Sequence, residues 1–278
     1  MPMIDPLYSL SGFAVGLLVG MTGVGGGSLM TPILILLFGI HPATAVGTDL
    51  LYAAVTKTGG SLVHGWARSI DWRVVRRLAA GSVPATVITL GLLSHFNLNG
   101  EAARGLITLV LSVALFATAL VLAFGGPLVA LYRARVSQLD TNRTATVTIL
   151  VGALLGVLVS ISSVGAGAIG VVLLVLLYPQ LPIAKIVGSD IAHGVPLTLI
   201  AGVGHWMMGS VNWHIIASLL VGSLPGIFIG SYFAIRVPER ALQLVLAATL
   251  FVVASRIAYD HATEASSIFT AFTRRAIP

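Results

Sequence analysis

A short glycine-rich stretch occurs twice in this chain, each time inside a long apolar run. The first copy is Thr22-Gly23-Val24-Gly25-Gly26-Gly27-Ser28; the second, 140 positions later, is Ser162-Ser163-Val164-Gly165-Ala166-Gly167-Ala168. Glycine costs a helix about 1 kcal/mol against alanine, so three in succession interrupt it. An interruption leaves backbone N–H groups bare at the new helix start, where the aligned peptide dipoles favour anions. In hydrocarbon such groups survive only where protein or a polar cavity satisfies them. Two interruptions at corresponding places are the pattern of a transporter's central binding site.

The surrounding residues fix the class. The chain is 57% hydrophobic and 9% charged, against about 25% charged in a soluble domain. Apolar runs near the length of a bilayer crossing recur from end to end, without the alternation of a membrane barrel. An all-α, polytopic membrane protein is the expectation. The net charge of +6 resides in arginines of short loops, as positive-inside orientation requires, and does not point to nucleic acid. Cysteine is absent, which removes disulfides, thiolate metal sites and cysteine redox chemistry. No His-Glu-x-x-His pattern occurs, and neither a metal nor another cofactor is expected. The N-terminus lacks the basic segment of a signal peptide, so the first apolar run is expected in the mature protein.

The two halves align almost without gaps. At an offset of 140, Gly12, Gly16, Gly25, Gly27 and Pro42 match Gly152, Gly156, Gly165, Gly167 and Pro182. At 141, Gly47-Thr48-Asp49 matches Gly188-Ser189-Asp190, His64 matches His205, Asp71-Trp72 matches Asn212-Trp213, and Gly81-Ser82-Val83-Pro84 matches Gly222-Ser223-Leu224-Pro225. Rare residue types coincide in one register, which points to tandem duplication. We read an N-terminal transmembrane repeat at 8–125, a cytoplasmic linker at 126–146, a C-terminal transmembrane repeat at 147–258 and a tail at 259–278. Each repeat holds four apolar segments: 8–39, 43–63, 74–96 and 103–125, then 147–178, 183–207, 213–235 and 240–258. The first segment of each is long enough to be a broken crossing or a hairpin of two half-helices. The loop between the second and third segments carries Arg68, Arg73, Arg76 and Arg77 in the first half, and its counterpart carries no Lys or Arg. Opposite loop charge favours opposite sides of the membrane, hence inverted repeats with a hairpin and three crossings each. A parallel four-plus-four arrangement would instead put Arg274 and Arg275 inside, and Arg236 and Arg240 outside.

The candidate substrate-binding residues are Thr22, Gly23, Gly25, Gly26, Gly27 and Ser28, with Ser162, Ser163, Gly165, Ala166 and Gly167. Their glycines permit close approach and their hydroxyls donate to an oxyanion. Tight packing of small residues is the competing explanation. Coupling or gating falls to Thr48, Asp49, Lys57, Ser189, Asp190 and His193. An acid deep in an apolar segment is functional by default. It serves as proton carrier or path lining, or it caps the neighbouring broken helix; the two readings are compatible. Lys57 stands in one half only, opposite Thr198, and needs a partner or an anion unless it snorkels. His193 follows Asp190 by three residues on one helical face.

The run G-L-L-V-G-M-T-G-V-G-G-G-S-L-M-T-P from Gly16 to Pro32, followed by H-P-A-T-A-V-G-T-D, resembles the opening of the sulfite exporter TauE/SafE family. That family is also called the 4-toluene sulfonate uptake permease family. G-V-L-V-S-I-S-S-V-G-A-G and I-V-G-S-D resemble its second repeat, and the likeness covers about residues 8–258. Its pattern falls on Gly23, Gly25, Gly26, Gly27, Pro32, Gly47, Thr48, Gly165, Gly167, Gly188 and Ser189. The chain departs from it at Ser163, Ala166 and Val172. The resemblance implies a multi-pass permease of the bacterial inner membrane. It would move a small sulfur-containing anion, sulfite or an organosulfonate such as sulfoacetate, by export; an Asp that exchanges a proton would make that transport proton-coupled. Two other classes stay open at this stage. One is a passive anion channel. The other is an intramembrane hydrolase with Ser28 as nucleophile and a histidine base, disfavoured because the Gly-x-Ser-x-Gly elbow is missing.

Overall fold

The structure, a computed structural model, describes residues 4–22, 27–95, 100–135, 141–233 and 239–276. These form ten helices: α1 (Pro6–Thr22), α2 (Gly27–Leu36), α3 (Pro42–Trp66), α4 (Trp72–Ser94), α5 (Glu101–Arg135), α6 (Thr141–Ser162), α7 (Ala168–Leu177), α8 (Ile183–Met207), α9 (Trp213–Phe233) and α10 (Glu239–Ala276). The described residues contain no strand. Among the described residues, six helices are long and apolar enough to cross a membrane: α4, α5, α6, α8, α9 and α10. Their outward faces are apolar, with Leu92, Phe124, Val221 and Phe228 among the exposed side chains. α3 matches α8 in length at 25 residues and in its one acid and one lysine, but four threonines make it less apolar.

Both long first segments split in two and double back. In the second half, Tyr178 just beyond α7 meets Thr148 in the early part of α6, Oη to Oγ1 at 2.8 Å. Gly170, in the first turn of α7, packs against Leu155 farther along α6. The two helices are therefore antiparallel, with the break at the tip. In the first half, Tyr8 at the start of α1 stacks on Phe38 just after α2, ring centroids 4.3 Å apart. Tyr8 and Phe38 are the positions that match Thr148 and Tyr178 at the offset of 140.

α3 and α8 are packed antiparallel at the centre. The Asn212 N–H, just before α9, donates to Thr48 Oγ1 near the start of α3 at 3.0 Å. The Asp71 N–H, just before α4, donates to Ser189 Oγ near the start of α8 at 2.8 Å. Asp71 caps α4 through Arg73 N and Val74 N, and Asn212 caps α9 through His214 N and Ile215 N, each satisfying amides left bare at a helix start. The α3–α4 and α8–α9 loops consequently lie at opposite ends of the molecule. The outer pairs are exchanged in the same way. α1 lies along α9 with Gly12 against Leu219 and Gly16 against Ser223, while α6 lies along α4 with Gly152 against Leu78 and Gly156 against Ser82. A methyl at any of these glycines would strike backbone of the facing helix, so small residues set the interhelical distance.

Helix extends into the stretches read as linker and tail. The stretch 126–146 is largely helical, because α5 runs on to Arg135 and α6 begins at Thr141. The stretch 259–278 continues α10 as far as Ala276. Neither contains a proline or glycine placed to stop a helix once the apolar span ends, apart from Gly126 and Pro127 inside α5 and Pro278.

Candidate functional site

The second glycine stretch forms a compact turn between α6 and α7. Ser163 has φ 59°, Gly165 φ 124° and Gly167 φ 128°. The last two conformations belong to glycine. Ser163 adopts left-handed backbone at a cost that surrounding structure must offset. Ser162 turns inward: its hydroxyl donates to Leu158 O at 2.7 Å and accepts from Val164 N at 3.2 Å. Ser163 Oγ is buried without a hydrogen-bond partner. Of the first stretch, Gly23, Gly25 and Gly26 lie outside the described residues, as does the Thr22 side chain; Thr22 closes α1 and Gly27 opens α2. Ser28 is buried in the first turn of α2.

The turn at 163–167 meets a buried polar cluster on α3 and α8. Lys57 Nζ donates to Ala166 O at 3.5 Å. Its aliphatic stem and ammonium lie on Gly194, where an added methyl would stand 2.8 Å from Nζ. Asp190, one turn before Gly194 on the same face of α8, directs Oδ1 onto Gly170 in α7, and the Gly167 amide lies against its carboxylate. Asp49 accepts from Thr31 Oγ1 of α2 at 2.6 Å, and the Ser163 hydroxyl lies against it beyond hydrogen-bond distance. The positive charge of Lys57 is felt by both carboxylates. The exposures are 0% for Asp49, 1% for Asp190 and 9% for Lys57, so Lys57 does not snorkel to an interface. Asp190 thus stands at the start of α7, where the dipole favours a negative charge, and Asp49 stands beside the second turn of α2. Each also keeps one buried oxygen, Asp49 Oδ1 and Asp190 Oδ1, without a partner.

The structure sorts the remaining candidates. Gly165, Ala166, Gly167, Ser163, Asp49, Lys57 and Asp190 converge. Thr48 and Ser189 face the opposite loops described above rather than the cluster, and Ser189 also donates to Lys185 O at 2.6 Å. His193 is fully buried beside the cluster, with Nε2 2.8 Å from Ser82 Oγ of α4 and Nδ1 unpartnered. His205 anchors the far end of α8 through Nε2 to Ser160 O at 2.9 Å.

Two contributors were not singled out from the sequence. Ser82 lies in the repeated Gly-Ser-x-Pro of α4, which the sequence marked only as a matched register. Thr31 lies four residues beyond the glycine run and has Val171 as counterpart, so the duplication gave no hint of it. An apolar groove of about 550 Å³ between α4 and α8, bordered by Leu90, Leu199 and Met207, lies apart from the cluster.

A buried, charged cluster at the tip of a re-entrant hairpin, inside a bundle with an apolar exterior, defines a multi-pass membrane transporter of a small solute. The sulfite exporter TauE/SafE family matches residues 8–257, and the chain belongs to that family. It is 37% identical over 246 residues to "Probable membrane transporter protein YjnA" of Bacillus subtilis, covering 87% of this chain and 95% of that one. "Probable membrane transporter protein YdhB" of the same organism is 26% identical over 83% of this chain and 91% of its own. An archaeal relative, "Probable membrane transporter protein MJ0441" of Methanocaldococcus jannaschii, is 26% identical over 77% and 76%. No solved structure matches the chain. The protein is a transporter by its family and relatives.

Proposed function

We propose that the protein is a permease that exports a small sulfur-containing anion, sulfite or an organosulfonate such as sulfoacetate, across the bacterial inner membrane in exchange or symport with protons. The observation that carries this reading is the convergence of the 163–167 turn on Lys57. It brings a buried ammonium to the start of a half-helix, midway between two opposed ends of the bundle. A cation and oriented N–H groups in a dry site are what an oxyanion needs in place of its water. Thr22 to Ser28 would supply the matching half of the site from α1 and α2.

Orientation supports the inverted arrangement. With the α3–α4 loop on the cytoplasmic side, Arg68, Arg73, Arg76, Arg77, Arg133, Arg135, Arg143 and Arg240 all fall inside, as positive-inside orientation asks. The α1–α2 hairpin then enters from outside and the α6–α7 hairpin from inside, their tips meeting near mid-membrane. The test is flux into proteoliposomes of the purified protein. Sulfite or sulfoacetate should saturate, show counterflow and respond to an imposed pH gradient. Linear, non-saturating flux would replace the permease with a channel. Absence of flux for every sulfur anion would remove the substrate class. A flux indifferent to pH that survives Asp49→Asn and Asp190→Asn would remove proton coupling.

A further inference from the structure

We propose that Lys57 is the receptor for the transported anion, and that the anion's arrival obliges Asp190, rather than Asp49, to take up a proton. This rests on the anion reading above and names the residues that would join its two halves.

The argument starts from unequal support for two equivalent carboxylates. Asp49 has a neutral donor of its own, the Thr31 hydroxyl at 2.6 Å, with the Ser163 hydroxyl close by. Asp190 has Val171 where Asp49 has Thr31, so no hydroxyl comes to it from α7. Its negative charge is balanced by Lys57 and by the Gly167 amide, and its Oδ1 is buried against Gly170 with no partner. Among the described residues, Lys57 of α3 and Gly167 and Gly170 of the hairpin lie against Asp190, and Asp49 and His193 share the influence of Lys57. His193 is committed through Nε2 to Ser82, and Tyr52 of α3 lies toward Asp49 and Ser223. Lys57 is the one cation in this set.

The ammonium is also placed to change partner. Its hydrogen bond to Ala166 O is long, 3.5 Å, and no ion pair within hydrogen-bond distance fixes it to either carboxylate among the described residues. An anion that takes the ammonium removes the chief support of Asp190. A carboxylate stripped of its counter-charge in a dry interior is neutralised. The charge count closes. Before binding, Lys57 (+1), Asp49 (−1) and Asp190 (−1) sum to −1. After a monovalent anion (−1) binds and one proton passes from water to the Asp190 carboxylate, Lys57, Asp49 and the anion again sum to −1. Asp49, held by the Thr31 hydroxyl, which the anion does not displace, keeps its charge.

The experiment uses purified full-length protein in weakly buffered detergent solution with a pH indicator. It is mixed with methanesulfonate or 2-hydroxyethanesulfonate, monovalent strong-acid anions that bring no proton of their own near neutral pH. Wild type should take up about one proton per anion bound. Lys57→Thr, which installs the residue of the other half, should weaken binding at least about tenfold, while Asp190→Asn should bind without uptake and without pH dependence. Asp49→Asn should retain uptake per anion bound. Anion binding by wild type with no proton uptake would overturn the proposal and leave the anion reading standing, a result that depends on no variant folding. Uptake that persists in Asp190→Asn and vanishes in Asp49→Asn would also overturn it. Failure of either anion to bind at all would overturn the anion reading and the proposal together.

Discussion

The two hairpin sites use matching positions and opposite means. Around Asp49 the donor is a hydroxyl, Thr31, from the half-helix it faces. Around Asp190 the corresponding position is Val171, and the balancing charge arrives from across the molecule on Lys57. The same divergence continues one turn along: Tyr52 of α3 lies toward Ser223, and its counterpart His193 bonds Ser82 at 2.8 Å. It reaches the hairpin bases as well. Tyr8 stacks on Phe38 in the first, whereas Arg77, Tyr178 and Thr148 form a polar chain in the second, Arg77 Nη1 donating to Tyr178 Oη at 3.1 Å. Among the described residues the framework stays alike while its buried polar groups diverge.

The largest expected effect comes from evicting the cation. Gly194→Val puts bulk where Lys57 rests, and its transport rate in proteoliposomes should fall at least about 100-fold, since a buried ammonium moved by even one ångström loses its site. Retained flux would mean that Lys57 is structural. Next is Thr31→Val, which gives Asp49 the apolar neighbour that Asp190 has. Loss of a hydrogen bond to a buried carboxylate should cost about 1.5–3 kcal/mol of stability, read from denaturant unfolding in detergent. A neutral result would erase the contrast between the two carboxylates.

The serine pair offers a sharper, smaller contrast. Ser82→Ala leaves His193 Nε2 unpaired and should cost about 1–3 kcal/mol. Ser223→Ala removes a hydroxyl that has no hydrogen-bond partner and should fall within about 0.5 kcal/mol of wild type. Equal losses would show that the halves use these serines alike. Smallest is the pair of loop contacts. Thr48→Val and Ser189→Ala each delete one hydroxyl acceptor for a loop amide, and each should cost about 1 kcal/mol by thermal unfolding. Here the halves should agree, because Asn212 and Asp71 are held in the same way.

Much of this was legible in the residues themselves. Bilayer-length apolar runs determined an all-helical membrane protein, because only internally bonded backbone survives in hydrocarbon. The Ser163 to Gly167 stretch marked the place where α6 gives way to α7, since left-handed backbone there selects glycine. The rarity of buried acids flagged Asp49 and Asp190. Thr48 and Ser189 drew attention by standing beside those acids, yet their hydroxyls point to loops of the other half. Successive residues on a helix point about 100° apart, and only the packing of α3 on α8 decides which direction meets which neighbour. Lys57 and Ala166 stand 109 positions apart, and Thr31, Ser82 and the shared ammonium enter the site from separate helices. Local sequence specified where the helices break and which groups are costly to bury. Which of those groups meet was decided by antiparallel packing of distant segments, whose contacts no local pattern encodes.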